Sequence, residues 1–438
     1  MFNTLALRKF FLLISNILLL YAALFLTLLF RFGKNFTSAV FAEHFPPFTI
    51  LYAVWLIVFY AFGFYELGIF KKSRSFYVRT VASLLINLAL GMIFFYLFPS
   101  FGIAPKTNLF LDILIFGVLF VIWRKVVFSL FSSRFLNKIA VLGKTPEAET
   151  LVKEIENNVY LGYKFVGFLE PESNISAAIE KEKIDTLVLA TDLQGRPRLI
   201  QNLYQCLPSR INLMDLSRAY EIIFEKIPIS YLTQIWFLEN LKERRKSMYD
   251  KVKRGMDVVL TFIILLITLI FWPLIALAIK LDSRGPVFYR QERIGKDKKP
   301  FWLIKFRSMV VQAEKDGPKW ATEKDERATK VGNFLRKTHL DEIPQMLNVL
   351  KGDISLVGPR PERPEFVSQI EKEVPHYHLR YLIKPGFTGW AQIKFRYGRS
   401  IMDSQEKFQY DLYYIKNRSL FLDLSVLLKT FQLFFKKE

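Results

Sequence analysis

The stretch MDVVLTFIILLITLIFWPLIALAIKL, Met256 to Leu281, decides how the second half of this chain folds. It is almost wholly apolar, and about 20 such residues span a bilayer as a helix. Pro273 breaks the helical hydrogen-bond ladder and leaves two pieces that are each too short to cross. Basic residues flank both ends: Lys251, Lys253 and Arg254 before it, Lys280 and Arg284 after it. Because cytosolic flanks are the basic ones, we favour a re-entrant helix over 256–281 and keep a fifth span as the alternative.

The N-terminal part predicts a bundle of spanning helices. Its long apolar runs are Phe10–Phe30, Phe48–Phe64, Val81–Phe98 and Leu109–Phe131. The first run is longer than the core of a secretory signal and no small-residue cleavage site follows it, so we expect it to be retained. Lysine and arginine concentrate before the first run, between the second and third, and after the fourth. This bias predicts that both ends of the bundle face the cytosol.

Composition narrows the class of protein. The 438 residues suffice for about three domains. The chain is 52% hydrophobic yet carries a formal net charge of +21, which suits a membrane protein that meets anionic headgroups or phosphorylated substrates. A single cysteine, Cys206, and four histidines argue against disulfides and a zinc site. No nucleic-acid-binding motif is present, so nucleic acid is not an expected partner.

Between the bundle and the re-entrant stretch, short strands alternate with helical patterns. The predicted strands are Lys138–Leu142, Lys164–Leu169, Ile184–Ala190 and Ile211–Leu216, with a helix from Thr145. This alternation predicts a small Rossmann-like parallel α/β domain. Its first turn, GKTPEA at Gly143–Ala148, lacks the G-x-G-x-x-G pattern of dinucleotide sites. We therefore expect a regulatory or structural role, with nucleotide binding at Gly143 as the alternative. The predicted domains are 1–134, 135–247 and 248–438.

Two adjacent acids stand in HLDEIPQMLNVLKGDISLVGPRP, His339 to Pro361. Pro344 is tolerated only in a first helical turn, so a helix is predicted from near Ile343 to Leu350. Asp341 and Glu342 then lie at its N-terminus, where negative charge is favoured. One carboxylate could attack a substrate while the other holds a metal or moves a proton. The alternative is that Asp341 merely caps the helix.

Basic residues surround the acid pair in sequence. Arg290, Arg293, Lys305, Arg307 and Arg336 precede it, and Phe301–Phe306 resembles a strand. Arginine binds phosphate oxygens bidentately, a carboxylate can be a covalent nucleophile, and Mg²⁺ is commonly held by one or two carboxylates plus phosphates. These residue types predict phosphoryl chemistry. The polar segment 312–330 is expected to be a loop. The turn-rich KPGFTGWAQ, Lys384–Gln392, carries a Trp390 that could stack on a base, anchor at the membrane interface or simply pack.

Four segments together resemble one family of enzymes. They are KRGMDVVL (Lys253–Leu260), GPVFYRQERIGKDKKPFWLIKFRSM (Gly285–Met309), LRKTHLDEIPQMLNVLKGDISLVGPRP (Leu335–Pro361) and KPGFTGWAQ. In this order they look like the bacterial polyprenyl-phosphate hexose-1-phosphate transferases, the large monotopic phosphoglycosyl transferases that initiate exopolysaccharide and O-antigen synthesis. The chain from Lys251 onward carries the resemblance, and its front half resembles the large members in architecture alone.

The resemblance implies a reaction in two steps. Asp341 matches the family's nucleophile, which attacks a UDP-sugar, releases UMP and carries a phosphosugar; undecaprenyl phosphate then takes the phosphosugar. Glu342 matches the second acid of the pair, and Arg336 and Arg360 match phosphate-binding positions, with Lys305 and Arg307 as further candidates. Pro273 matches the break of a re-entrant helix, although this chain has Trp272 where a small polar residue is common. The family also implies Mg²⁺, with Asp341 as its ligand, and a possible homodimer.

The implied location is the bacterial inner membrane, with the catalytic domain on the cytosolic face and membrane lipids as neighbours. Three other hypotheses stay open. The lipid phosphate could attack the donor directly while the acids only bind metal. The chain could be a non-catalytic membrane scaffold or regulator of polysaccharide assembly. The α/β domain could sense a nucleotide.

Overall fold

The structure is a computed structural model that describes residues 4–66, 73–99, 106–133, 136–193, 195–209, 211–232, 234–241, 247–311, 327–395 and 400–435. It is mostly helical and forms two compact units, Met1–Ile223 and Phe224–Glu438. The units divide ahead of the predicted boundary at 247/248, and the three-part division into domains stays a prediction. Most of the predicted loop 312–330 lies outside the described residues.

The first unit begins with four helices that are long and apolar enough to cross a membrane. They are α1 (Thr4–Phe32), α2 (Ser38–Ala61), α3 (Ser73–Leu97) and α4 (Lys106–Ser133). Their core is aromatic: Trp55, Phe59 and Phe116 are at most 1% exposed. Each helix covers most or all of one predicted run, although the second and third runs extend past the ends of α2 and α3 to Phe64 and Phe98. Helix α2 starts before the predicted Phe48 because it continues through a Pro-Pro pair, which normally ends a helix.

An α/β sheet completes the first unit. Its elements are β1 (Asn137–Leu142), α5 (Pro146–Asn157), β2 (Tyr163–Leu169), α6 (Ile175–Glu182), β3 (Thr186–Leu189), α7 (Pro197–Gln205), β4 (Asn212–Asp215) and α8 (Leu216–Ile223). The four strands are all parallel, in the order β2-β1-β3-β4. The predicted strands and the mixed α/β class are confirmed. Gly143 ends β1 with φ +88°, so the backbone itself requires a glycine there.

The second unit mixes helices with two small sheets. Its elements are α9 (Gln234–Asn240), α10 (Ser247–Leu269), α11 (Trp272–Asp282), β5 (Phe288–Ile294), β6 (Pro300–Phe306), α12 (Lys330–Lys337), α13 (Gln345–Lys351), β7 (Ser355–Val357), α14 (Pro364–Glu373), β8 (Gly386–Thr388), α15 (Trp390–Lys394), α16 (Ile401–Asn417) and α17 (Leu420–Phe435). Strands β5 and β6 pair antiparallel and β7 and β8 pair parallel. The strand predicted at Phe301–Phe306 is confirmed as β6.

The apolar stretch Met256–Leu281 is a broken helix. Helix α10 ends at Leu269, α11 begins at Trp272 with Pro273 in its first turn, and the two axes bend by 60°. Trp272 turns toward the protein, where its ring lies 5.3 Å from that of Phe306. The opposite surface exposes apolar side chains: Val259, Phe262, Leu266, Ile267, Ile270, Leu274 and Leu277. The broken helix therefore has one face packed on the unit and one apolar face exposed.

Polar side chains attach α10 to the unit. Asp423, fully buried, accepts hydrogen bonds from Tyr249 (2.7 Å) and Lys253 (2.9 Å). One turn further along, Asp257 accepts from the Ser355 hydroxyl at 2.7 Å. Residues 249, 253 and 257 recur every four positions and so share one side of the helix. This polar side holds the first half of the apolar stretch against strand β7 and helix α17.

Candidate active site

The acid pair lies in a tight turn between α12 and α13. His339 adopts a left-handed backbone conformation (φ 55°), which redirects the chain as it leaves α12. Leu340–Glu342 then form a 3-10 turn, and Pro344 (φ −61°) continues it into α13. The helix thus begins within two residues of the predicted Ile343. Asp341 is 8% exposed, so the turn buries this carboxylate directly beside the carboxylate of Glu342.

Glu342 is held by two cations. Its Oε1 accepts a hydrogen bond from Lys305 Nζ at 2.7 Å and another from Arg360 Nη2 at 2.7 Å. Burial alone would raise the pKa of Glu342, but the charges and hydrogen bonds of Arg360 and Lys305 hold it well below its usual range. Glu342 is therefore ionised throughout the physiological pH range and is paired with Lys305 and Arg360.

A buried amide places Lys305 beside Glu342. Asn348 on α13 accepts from the Ile304 backbone N–H at 3.0 Å and donates to the Trp302 carbonyl at 2.8 Å. It also donates to Asp353 at 3.0 Å. These bonds lock α13 against β6, whose next residue is Lys305. The hydrogen-bonding capacity of Asn348 is thus used for structure.

The GPRP corner is set by close backbone contacts. Gly358 N–H donates to the Thr388 carbonyl at 2.9 Å, and Gly386 N–H donates to the Pro359 carbonyl at 2.8 Å. A Cβ at Gly386 would lie 2.0 Å from the Gly358 nitrogen, which no side chain could tolerate. The KPGFTGW segment therefore serves as the backbone support for Arg360. Trp390 is 3% exposed and its Nε1 donates to the Glu225 carbonyl at 3.0 Å, so it packs rather than presenting a stacking face.

Asp341 differs from Glu342 in its electrostatics. Burial raises its pKa to about 6, the charge of Lys305 lowers it, and the charge of Glu342 raises it further. The charges of His339 and Arg336 lower it more weakly. No described residue donates a hydrogen bond to the Asp341 carboxylate. A carboxylate that has a raised pKa and accepts no hydrogen bond from the described residues has the properties required of a nucleophile or a general base.

Four of the predicted residues meet, and one does not. Asp341, Glu342, Lys305 and Arg360 come together, with Arg336 near enough to act on Asp341. Arg307 is instead 5% exposed and donates to the Arg284 and Ser283 carbonyls at 3.1 and 2.6 Å, next to the end of α11. The structure therefore places Arg307 apart from the acid pair, because its guanidinium is engaged by the carbonyls that follow α11, and a role in substrate binding stays a prediction.

Arg380 was not anticipated from the sequence. It is 5% exposed and its Nη2 donates to both the Arg360 carbonyl and Asp411 Oδ2 at 3.0 Å. Arg380 thereby fixes the backbone from which the Arg360 side chain extends. An isolated arginine in a turn-rich segment offered no pattern from which this could be read.

Known proteins resemble this chain in the same region and beyond it. The sequence model of the family described as "Bacterial sugar transferase" matches residues 248–437. A "UDP-glucose:undecaprenyl-phosphate glucose-1-phosphate transferase" of Klebsiella pneumoniae is 31% identical over 373 residues, 80% of this chain and 79% of that protein. The chain belongs to this family. The polyprenyl-phosphate hexose-1-phosphate transferase family predicted from the motifs is thus confirmed.

Two other members of the bacterial sugar transferase family align over shorter regions. A "UDP-N-acetylgalactosamine-undecaprenyl-phosphate N-acetylgalactosaminephosphotransferase" of Aeromonas hydrophila is 39% identical over 231 residues, 52% of this chain and 53% of that protein. A "UDP-glucose:undecaprenyl-phosphate glucose-1-phosphate transferase" of Escherichia coli K12 is 32% identical, over 67% of this chain and 66% of that protein. The chain thus spans about half to two thirds of the length of these two relatives.

The acid pair is compatible with one divalent cation shared with a substrate. Among the described residues no group of three or more His, Cys, Asp or Glu side chains could enclose a metal ion. Glu342 is already engaged by Lys305 and Arg360, which leaves Asp341 as the available carboxylate. Mg²⁺ is commonly held by one or two carboxylates together with phosphate oxygens and water. A ligand set completed by the substrate fits this site, whereas an all-protein cage does not.

Proposed function

We propose that this protein transfers a sugar 1-phosphate from a UDP-sugar to undecaprenyl phosphate and releases UMP. The products would be undecaprenyl-diphospho-sugar and UMP, the first membrane step of exopolysaccharide or O-antigen synthesis. The proposal is supported by the family membership and by the names of the relatives, which specify undecaprenyl phosphate with glucose or N-acetylgalactosamine donors.

The observation that carries the proposal is the unequal state of the two acids. Glu342 is ionised and paired with Lys305 and Arg360, whereas Asp341 is buried, basic for a carboxyl group, and without a hydrogen bond from the described residues. If both acids had only a structural role, we would expect both carboxylates to pair with Lys305 and Arg360. The arrangement instead keeps one carboxylate available for a reacting atom and uses the other to hold the basic groups in place.

In the first proposed step an Asp341 carboxylate oxygen attacks the sugar-side phosphorus of the donor. The P–O bond to the uridine-side phosphate breaks, UMP leaves with that electron pair, and an aspartyl phosphosugar forms. In the second step an oxygen of undecaprenyl phosphate attacks the same phosphorus and the Asp341 carboxylate departs. Arg360, Lys305 and Arg336 would bind phosphate oxygens as negative charge shifts between them.

We further propose that Mg²⁺ is bound by Asp341 and substrate phosphates. When bound it would neutralise phosphate charge, the usual requirement of phosphoryl transfer. Glu342 would remain on Lys305 and Arg360 and so keep both cations oriented toward the phosphates.

The proposed location is the bacterial inner membrane, with the catalytic unit on the cytosolic side. Four helices could span the bilayer, and the broken helix α10–α11 would enter it and return. The polar contacts of Tyr249, Lys253 and Asp257 support re-entry, because they tie the first half of this helix along the unit. An acceptor with a long lipid and a cytosolic nucleotide donor would meet at this surface. The α/β sheet would then have a regulatory or structural role, and a homodimer is part of the proposal.

The test uses full-length protein in nanodiscs with Mg²⁺ and a panel of UDP-sugars. UMP release is followed with and without undecaprenyl phosphate, for the unaltered protein and Asp341→Asn. We expect release that depends on Asp341, and a phosphosugar adduct on the protein when the lipid is omitted. Lipid-dependent release without an adduct would favour direct attack by the lipid phosphate. Absence of release, with polysaccharide assembly intact in cells carrying Asp341→Asn, would favour a scaffold.

A further inference from the structure

One buried amide close in sequence to the acid pair leaves its nitrogen without a hydrogen bond among the described residues. Gln345 is 3% exposed, and its Nε2 is buried without a hydrogen-bond partner among the described residues. A buried donor left unpaired is destabilising, so native proteins rarely keep one without a reason. Asn348, on the same helix and 2% exposed, has every one of its bonds described above. The amide of Asn348 therefore has a structural role, whereas the nitrogen of Gln345 is available to a ligand.

The position of Gln345 relates it to the two carboxylates. It follows Glu342 by three residues and Asp341 by four, in a helical run with backbone bonds from Ile343 N–H to Leu340 and from Met346 N–H to Ile343 (3.3 and 3.0 Å). Side chains at these spacings are neighbours on a helix surface. Yet Gln345 donates to neither acid: Glu342 Oε1 is taken by Lys305 and Arg360, and Asp341 accepts no bond from it. Neither acid is therefore the partner of Gln345 Nε2, which leaves this donor available to a bound molecule.

We propose that Gln345 is a substrate-binding residue whose Nε2 donates to a non-bridging phosphoryl oxygen of the sugar phosphate at Asp341. This inference deepens the proposed function and rests on it. Attack by Asp341 brings phosphorus to covalent distance from its carboxylate, so phosphoryl oxygens with unused lone pairs arrive one helical turn from Gln345. Hydrogen bonds to charged phosphoryl oxygens are about twice as strong as neutral ones. A fixed donor at this place would stabilise the charge that develops during transfer.

Gln345→Met tests the amide, because it preserves length and volume and removes the donor. We expect UMP release per unit enzyme to fall about 100-fold, the size of effect seen when one preorganised donor is removed. We also expect thermal stability of the ligand-free protein to stay equal or to rise, since an unpaired donor is gone. Asn348→Leu is the control: it removes bonds that are made, so its melting temperature should drop.

A binding measurement tests the role of Gln345 independently of turnover. UDP is titrated into Gln345→Met and into the unaltered protein, both carrying Asp341→Asn so that no chemistry occurs. We expect roughly tenfold weaker UDP binding without the amide. Unchanged affinity together with unchanged rate would overturn the role of Gln345, as would a loss of rate that merely parallels a drop in melting temperature. Absence of turnover in the unaltered protein would count against the transferase proposal, while the UDP titration would still decide the role of the amide.

Discussion

Lys305 Nζ lies 2.7 Å from Glu342 Oε1, and this bond joins the β5–β6 hairpin to the turn that carries Asp341. Arg360 reaches the same oxygen from the GPRP corner. Three segments that are far apart in sequence thus converge on one carboxylate. Burial lowers the pKa of Lys305, and the charges of Glu342 and Asp341 partly offset this effect. Glu342 thus links the segments of the site, whereas Asp341 is the carboxylate available to react.

Glu342→Gln should therefore be costly in both stability and activity. It leaves Lys305 and Arg360 facing each other without their shared counter-charge. We expect a loss of about 3 kcal/mol, the lower end of the range for breaking buried pairs, because the Arg360 side chain is 41% exposed. Denaturant unfolding measures this, and UMP release should fall at least 100-fold. Adding Lys305→Met should recover much of the stability and none of the activity; full recovery of activity would contradict the assignment.

The raised pKa of Asp341, about 6, predicts an acid limb in the activity profile. Attack requires the ionised carboxylate, so kcat/KM should fall about tenfold per pH unit below pH 6 and be level above it. A limb near pH 4 would mean that Asp341 is solvated in the working enzyme. The profile is measured at saturating metal, with UMP release as the readout, and the pH stability of the protein is checked by incubation and return to pH 7.5.

The same shift has a consequence for stability with the opposite sign. The folded pKa of about 6 exceeds the ordinary value of 3.8, so the folded protein binds the extra proton between these values. The contribution of Asp341 to stability is therefore fully present below pH 3.8 and is lost as pH rises through 6, at a cost of up to about 3 kcal/mol. Metal-free Asp341→Asn should unfold at a higher temperature than the unaltered protein at pH 7.5. The difference should vanish toward pH 4; a persistent difference would point to packing instead of charge.

The fold class and most of the site could be predicted from the sequence, for physical reasons that differ from residue to residue. Apolar length and strand–helix alternation predicted the four helices and the α/β sheet, because both depend on local pattern. The position of Arg307 could not be predicted, because it depends on hydrogen bonds from its guanidinium to the carbonyls of Arg284 and Ser283, 23 and 24 residues earlier in the chain. The contact of Asp257 with Ser355 could not be predicted either, because it joins residues 98 positions apart. The role proposed for Gln345 could not be predicted from the sequence, because it rests on a buried nitrogen without a partner, which only the structure shows.

Gly386→Ala tests the backbone support of Arg360. A Cβ there would meet the Gly358 nitrogen at 2.0 Å, so β7 and β8 would have to separate. We expect loss of stability of several kcal/mol, as for other overpacked sites, and a loss of activity through Arg360. Gly255→Ala is the matched control: nothing lies within 4 Å of its Cβ, and it occupies the interior of helix α10. It should be neutral or stabilising by up to about 1 kcal/mol. Equal behaviour of the two variants would refute the close approach.

Residues ahead of the family-matched region 248–437 form part of the catalytic unit. Ile227 is fully buried in a cluster with Ile370 and Phe408, and its N–H donates to the Gln409 carbonyl at 3.1 Å. Ile227→Ala should therefore cost about 2–5 kcal/mol, as other large-to-small changes in cores do. Limited proteolysis should show earlier cleavage within the second unit.

Leu238→Ala provides the control for Ile227→Ala, because Leu238 lies in the same preceding segment and is 80% exposed. Its effect should stay within about 0.5 kcal/mol. If Ile227→Ala unfolded no more easily than Leu238→Ala, residues 224–232 would be a connector and the catalytic unit would begin near Ser247. If it is destabilised as expected, any expression of the catalytic unit alone must start at Phe224, because a later start would expose the surfaces of Ile370 and Phe408 that Ile227 covers.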